Sequence, residues 1–291
     1  MSERFWLRRQ SIGPQKPLEI SKERYEEITA ARLTLIDAKN FEERYEMVIG
    51  NFLELERFIA DFSLRTHIEA DFSYRKASTV FLESNRLVMN LLTTFKSYVD
   101  QTPQDFKHLP TAFGEKFQEI ASSIYDKSFA YRFASALRNH TQHYSPPVHA
   151  VRTGGTRVDW IDKGLFFCKK QELAENPKFK KAVLDEFNDE VDLKAIFREL
   201  MEHLSRMHIK LRQFLHESVQ IARSGIEEAM QDFVEAQGKS CTAIGLAALK
   251  EFDGEFSSIS PVLLDWDETR IELIDKNRNV LNLISTSPSA D

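Results

Sequence analysis

Residues 41–62 read FEERYEMVIGNFLELERFIADF. Apolar side chains recur through this stretch at spacings of three and four, at Phe41, Tyr45, Val48, Phe52, Leu55, Ile59 and Phe62. Such a repeat lays one apolar stripe along a helix, and the stripe needs partners to cover it. Two further stripes have the same character. Ala77, Phe81, Val88, Leu91 and Phe95 form one, interrupted by the polar Ser84 and Asn85; Leu193, Phe197, Leu200, Leu204, Met207, Leu211 and Phe214 form the other. Long stripes of this kind predict a mainly α fold, an antiparallel helical bundle.

Working outward, Ser21 stands as an N-cap before Lys22-Glu23-Arg24-Tyr25, which predicts a shorter helix to about Ala38. Phe113, Phe117, Ile120 and Ile124 place helices near 112–125 and 127–144, and Pro146-Pro147 stop the second of them. Extended runs follow at 148–152 and 156–161 across Thr153-Gly154-Gly155, which reads as a hairpin, with 165–169 as a candidate third strand. A helix at about 176–187 and a long one from about 191 restore the bundle. Past Gly238, 261–266, 270–274 and 280–284 read as strands, with a turn at 275–279. The expected organisation is therefore an N-terminal extension (1–20, poorly ordered, as is 285–289), a helical domain (21–237) with a β-hairpin insertion at about 148–170, and a small C-terminal strand-containing α/β appendage (238–291).

Composition narrows the class. A chain of 291 residues with 42% hydrophobic content can bury a sizeable core. No apolar run approaches the roughly 18 residues of a membrane span. The stretch MSERFWLRRQSIGPQKP is basic but has neither the apolar run nor the cleavage site of a secretory signal. The expected setting is the cytoplasm, with no membrane partner. Cys168 and Cys241 match no metal or redox spacing and read as free thiols.

A net charge of −6 argues against a protein that coats nucleic acid non-specifically. One window departs from the average. Residues 127–158 hold no aspartate or glutamate, while Lys127, Arg132, Arg138, Arg152 and Arg157 are positive and His140, His143 and His149 can become so. This window suits a polyanion, and Lys127, Arg132, His140, Arg152 and Arg157 are the candidate RNA contacts.

Inside it, residues 137–147 read LRNHTQHYSPP. Helical geometry puts Asn139 and His143 on one face and Arg138 a further 100° around. The proline stop leaves His143 in the final turn, where carbonyl dipoles favour the protonated ring. An imidazole titrating near 6.5 can take the proton of a ribose 2′-hydroxyl or give one to a departing 5′-oxygen. An arginine fork can hold the phosphate and stabilise its equatorial oxygens, and Asn139 adds a donor. The implied reaction is metal-independent transesterification to a 2′,3′-cyclic phosphate, with Arg138, His143 and Asn139 as catalytic candidates and no cofactor.

The run Arg138-Asn139-His140-Thr141-Gln142-His143 resembles the motif of HEPN ribonucleases: an arginine, a polar residue often asparagine, and a histidine after four to six residues. The wider phrase, Leu137-Arg138-Asn139 followed by Gln142-His143 and then Pro147-Val148, also resembles bacterial proteins of unassigned function over roughly residues 20–225, while the HEPN resemblance rests on the motif. The HEPN resemblance implies a four- or five-helix bundle, a homodimer whose two copies form one composite cleft, and RNA cleavage in stress response, toxin–antitoxin control or antiphage defence. Some antitoxin-paired members carry a tyrosine two places after the histidine; here that place is Ser145, and Tyr144 is directly adjacent. An alternative class is a non-catalytic helical module for dimerisation and recognition of a nucleotide, RNA or partner protein. A third reading is an effector held off by a regulatory or antitoxin protein, with the tail after Gly238 as docking site.

The remaining candidates read as structural. His140, His143 and His149 invite a metal reading, but no carboxylate in the window completes a typical ligand set. His203, His208 and His216 do not share a helix face. Asp265, Asp267 and Glu268 read as a solvated acidic turn.

Overall fold

The computed structural model describes residues 3–10, 16–69, 73–152, 165–238 and 242–283. Ser21 starts the first helix as its sequence suggests, its Oγ accepting the Arg24 N–H at 3.1 Å. The helix does not stop near Ala38. It runs unbroken as α1, Lys22–Glu69, so the expected short helix and the 41–62 stripe are one element. No proline or glycine lies between Ala38 and Phe41 to break the backbone. The other helices are α2 (Tyr74–Asp105), α3 (Ala112–Lys127), α4 (Phe129–His143), the short α5 (Lys170–Ala174) and α6 (Lys181–Leu184), α7 (Leu193–Gln237) and α8 (Asp265–Lys276). Strands β1 (Glu3–Arg9), β2 (Leu18–Ile20), β3 (Ala150–Arg152), β4 (Leu165–Lys169), β5 (Glu190–Asp192), β6 (Leu246–Phe252) and β7 (Glu255–Pro261) make two small antiparallel sheets. The fold is mainly helical. No helix among the described residues is long and apolar enough to cross a membrane.

The chain divides into two compact units, both of which draw on α1 and α7. One comprises residues 44–103, 116–210 and 279–291. Its core is built from the stripes: Val48, Phe52, Leu55 and Ile59 of α1, Leu91 and Phe95 of α2, and Phe197, Leu200 and Leu204 of α7 are all buried. His208 is buried with them, stacked on Tyr45 at 4.0 Å and hydrogen-bonded through Nδ1 to the Tyr98 hydroxyl at 2.9 Å. Ser84, the apparent interruption of α2, is fully buried and returns its hydroxyl to the Phe81 carbonyl at 3.1 Å. Sheet order is β3-β4-β5, with Val151 opposite Phe166 and Cys168 opposite Val191. The third strand expected at 165–169 is thus the partner of β3; the proposed turn at Gly154-Gly155 and the strand at 156–161 lie outside the described residues. The helix expected at 176–187 is replaced by turns around α6, and residues 190–192 pair as a strand before α7 begins.

The other unit comprises residues 1–43, 104–115 and 211–278. Its sheet has the order β2-β1-β6-β7, with Trp6 opposite Leu249 and Leu7 opposite Ala248. Leu7 is fully buried and Phe5 nearly so, against Tyr25 of α1 at 5.0 Å. Residues 3–9 and 18–20, from the expected N-terminal extension, and 246–252 and 255–261, from the expected appendage, thus share one sheet. Strands expected at 261–266 and 270–274 are corrected too. Residues 255–261 form β7, reached through a two-residue turn in which Asp253 and Gly254 both have positive φ, 47° and 88°. That is the left-handed backbone a tight hairpin requires. Residues 265–276 are helix α8, whose first turn holds Asp265, Asp267 and Glu268 where the helix dipole favours anions. Phe214, assigned to the α7 stripe, is exposed; Leu215 is buried in its place.

Candidate active site

Helix α4 begins on Ser128, whose Oγ accepts the Tyr131 N–H at 3.2 Å and donates to Glu199 Oε1 at 2.8 Å. It ends at His143, as the double proline requires, and the Tyr144 N–H closes on the His140 carbonyl. Several contacts hold the exit. The Val148 N–H donates to Asn85 Oδ1 at 2.8 Å while Asn85 Nδ2 donates to the Phe81 carbonyl. The Tyr144 hydroxyl donates to the Glu175 carbonyl at 3.0 Å. Asn85, the second polar interruption of the α2 stripe, thus fixes the segment that leaves α4.

His140 lies at the centre of this fastening. It is buried, its Nδ1 accepts from Asn176 Nδ2 at 3.1 Å, and its Nε2 faces Ser145 Oγ at 2.8 Å. An amide nitrogen can only donate, so the ring is the neutral form with its proton on Nε2. Burial, with the neighbouring His149 second, pushes its pKa below the ordinary histidine value. His149 behaves alike: Nε2 donates to the Pro146 carbonyl, Nδ1 accepts the Lys169 N–H at 3.0 Å, and burial lowers its pKa against the opposing pull of the Pro146 hydrogen bond. Cys168 sits 3.6 Å from the same Nδ1, fully buried, and desolvation pushes its thiol well above the ordinary range. A thiol so raised is no nucleophile at neutral pH. His140, taken from the sequence as an RNA contact, is instead a structural latch: burial and two saturated nitrogens withhold it from a polyanion.

Arg138, Asn139 and His143 are presented differently. Asn139 and His143 are exposed and Arg138 is half-buried. The Arg138 Nη1 reaches only Asn139 Oδ1, at 3.4 Å, and its Nε is buried without a partner. Among the described residues no carboxylate lies within ion-pair reach of Arg138. A half-buried guanidinium without an acid is a group that still has donors to give. At 100° per residue the five-residue spacing sets Arg138 and His143 about 140° apart around the α4 axis, so one copy of the helix does not present them side by side.

The surrounding basic window is thinner than its sequence suggests. Arg132 makes a bidentate pair with Glu186, at 3.0 and 2.5 Å, and also donates to the Tyr125 and Asp126 carbonyls. Arg152 pairs with both oxygens of Glu190 and lies over the Phe167 ring. Acids absent from 127–158 are brought in by the fold from residues 186 and 190, and a phosphate would have to displace them. Lys127 is exposed, and Arg157 lies outside the described residues. The sequence offered no signal for Asn176 or Ser145, whose roles exist only through the buried His140. Among the described residues no group of three histidine, cysteine, aspartate or glutamate side chains is placed to hold a metal ion.

No protein-family model, no curated protein and no solved structure matches the chain.

Proposed function

We propose that the chain is a metal-independent endoribonuclease of the HEPN type, cutting by attack of the 2′-hydroxyl and leaving 2′,3′-cyclic phosphate ends. The observation that carries this reading is Arg138: half-buried near the end of α4, without a carboxylate partner among the described residues, on the helix whose last turn also exposes His143. In this reading Arg138 holds the phosphate and His143 moves the proton. Asn139 Oδ1 accepts from the Arg138 guanidinium at 3.4 Å. Because the two catalytic groups diverge around α4, the working unit is a homodimer in which α4 of each copy completes one cleft. RNA is the substrate, in a stress, toxin–antitoxin or defence setting, with a regulatory protein partner restraining the nuclease.

The ion-paired Arg132 and Arg152 favour a second reading, a helical dimerisation or binding module that does not cut. Incubation with end-labelled tRNA, ribosomal and messenger RNA in EDTA separates the two. Cyclic-phosphate fragments that vanish with Arg138→Ala and with His143→Ala support the nuclease. RNA left intact by a purified dimer, or cleavage that survives both substitutions, overturns it.

A further inference from the structure

The unit built from residues 1–43, 104–115 and 211–278 contains a cavity of about 240 Å³. Its walls are mostly apolar, with Phe41 from α1, Leu215 and Val219 from α7, and Ile274 from α8. Two arginines also line it, and their surroundings differ. Arg212 is saturated: Nε and Nη2 go to the two oxygens of the buried Glu42, at 2.8 and 2.7 Å, and Nη1 to the Asn277 carbonyl. Arg270 is buried and spends only Nε, on Asp267 Oδ1 at 2.6 Å. Its two Nη groups donate to nothing among the described residues.

Asp267 is fully buried and serves two cations, because its Oδ2 accepts from Arg223 at 2.5 Å. Asp267 is thus shared between two guanidiniums, in surroundings that water screens poorly, and with Glu227 beside Arg223 the four groups balance in formal charge. The Arg223 charge has a second acid in Glu227, half exposed at the surface; Arg270 has none.

We propose that this cavity is a binding site for a small organic monocarboxylate with an apolar body. The carboxylate would accept both Arg270 Nη groups in the parallel two-bond arrangement that guanidinium and carboxylate share. The apolar walls cover the body. At about 30 Å³ for each water-sized group, 240 Å³ takes roughly eight non-hydrogen atoms, the size of a simple aromatic or six-carbon acid. This inference is independent of the nuclease reading.

The test uses the full chain with 4-fluorobenzoate, observed by fluorine NMR, against 4-fluorobenzamide as a neutral counterpart of the same shape. The carboxylate should bind saturably and at least about tenfold more tightly than the amide, since only it answers a charge-assisted donor pair. Arg270→Met should remove that preference. Because Arg270 also holds Asp267, a second variant, Ile271→Trp, fills the cavity from its exposed rim and should abolish binding of both probes while leaving the ion pairs alone. Equal affinity for acid and amide overturns the proposal. So does carboxylate binding that survives Ile271→Trp, or the absence of saturable binding to the folded wild-type chain.

Discussion

Replacing Asp267 by asparagine tests whether burial or mere proximity gives the Arg223–Asp267–Arg270 cluster its strength. Asparagine keeps the shape and one acceptor oxygen but exchanges the other oxygen for a donor that faces an arginine N–H. Of the two charge-assisted hydrogen bonds at 2.5 and 2.6 Å, one gives way to opposed donors and the other loses its charge, and two guanidiniums lose their shared anion. The carboxylate has no solvent exposure, and Arg270 and Arg223 side chains are 10% and 23% exposed, so water replaces little of the interaction. Removing one member of a buried pair costs about 3 to 5 kcal/mol. The control is Glu19→Gln, which breaks the bidentate Arg4–Glu19 pair in the same unit, at 2.9 and 3.0 Å but about half exposed on both sides. An exposed pair contributes little, because water and salt screen it. Urea unfolding followed by tryptophan emission reads the difference, because Trp6 and Trp266 both lie in this unit; a Trp160→Phe background removes the third indole. The midpoint should fall strongly for Asp267→Asn and barely for Glu19→Gln, at unchanged m. Equal losses in the two variants would refute the burial argument.

Three other outcomes follow from single contacts. His140 and His149 are held neutral, with folded pKa values below their unfolded 6.5, so the unfolded chain binds more protons between the two values. Their contribution is complete above pH 6.5 and is lost as pH falls below it; a stability profile measured from pH 8 to 5 should decline on the acid side, and His140→Gln should flatten that decline. Leu7→Ala, in the middle of β1 and fully buried, should cost about 2 to 5 kcal/mol in the same urea assay. Cys168, with no exposure and a raised thiol pKa, should resist iodoacetamide in the native chain at pH 8 and react fully in urea, as read by mass of its peptide.

The helical part of the fold was legible wherever burial followed hydrophobicity. Residues 41–62, 193–211 and the proline stop after His143 were readable because most buried positions carry an apolar side chain, Glu42, Ser205 and His208 being exceptions, and the helix end a backbone constraint. Where the buried face is written in charge, the reading failed. Helix α8 buries Asp267 and Arg270, which hydropathy assigns to solvent, and the alternating Arg270-Ile271-Glu272-Leu273 then looks like a strand. Strand β6 fails for the opposite reason: Leu246, Ala247, Ala248 and Leu249 are buried in succession, so no period of two is visible. The Asp253-Gly254 turn after it carries a strong short hairpin signal that the sequence reading did not take up. At the candidate site, the sequence placed Arg138, Asn139 and His143 on α4 correctly. It could not foresee that Glu186 and Glu190 would return to Arg132 and Arg152, because ion pairs between residues 54 and 38 positions apart leave no local pattern.

The pairing of β1 with β6 sets an order of assembly. Trp6 meets Leu249 and Leu7 meets Ala248, so a strand made first waits for one made roughly 240 residues later. At about 5 to 20 residues per second of synthesis, the wait is roughly 12 to 50 seconds. During it Phe5 and Leu7 have only β2 as a strand partner, and the other edge of β1 is open to any other nascent strand. Translation speed and chaperone occupancy of the first residues should therefore govern the yield of folded chain far more than the stability of the finished sheet.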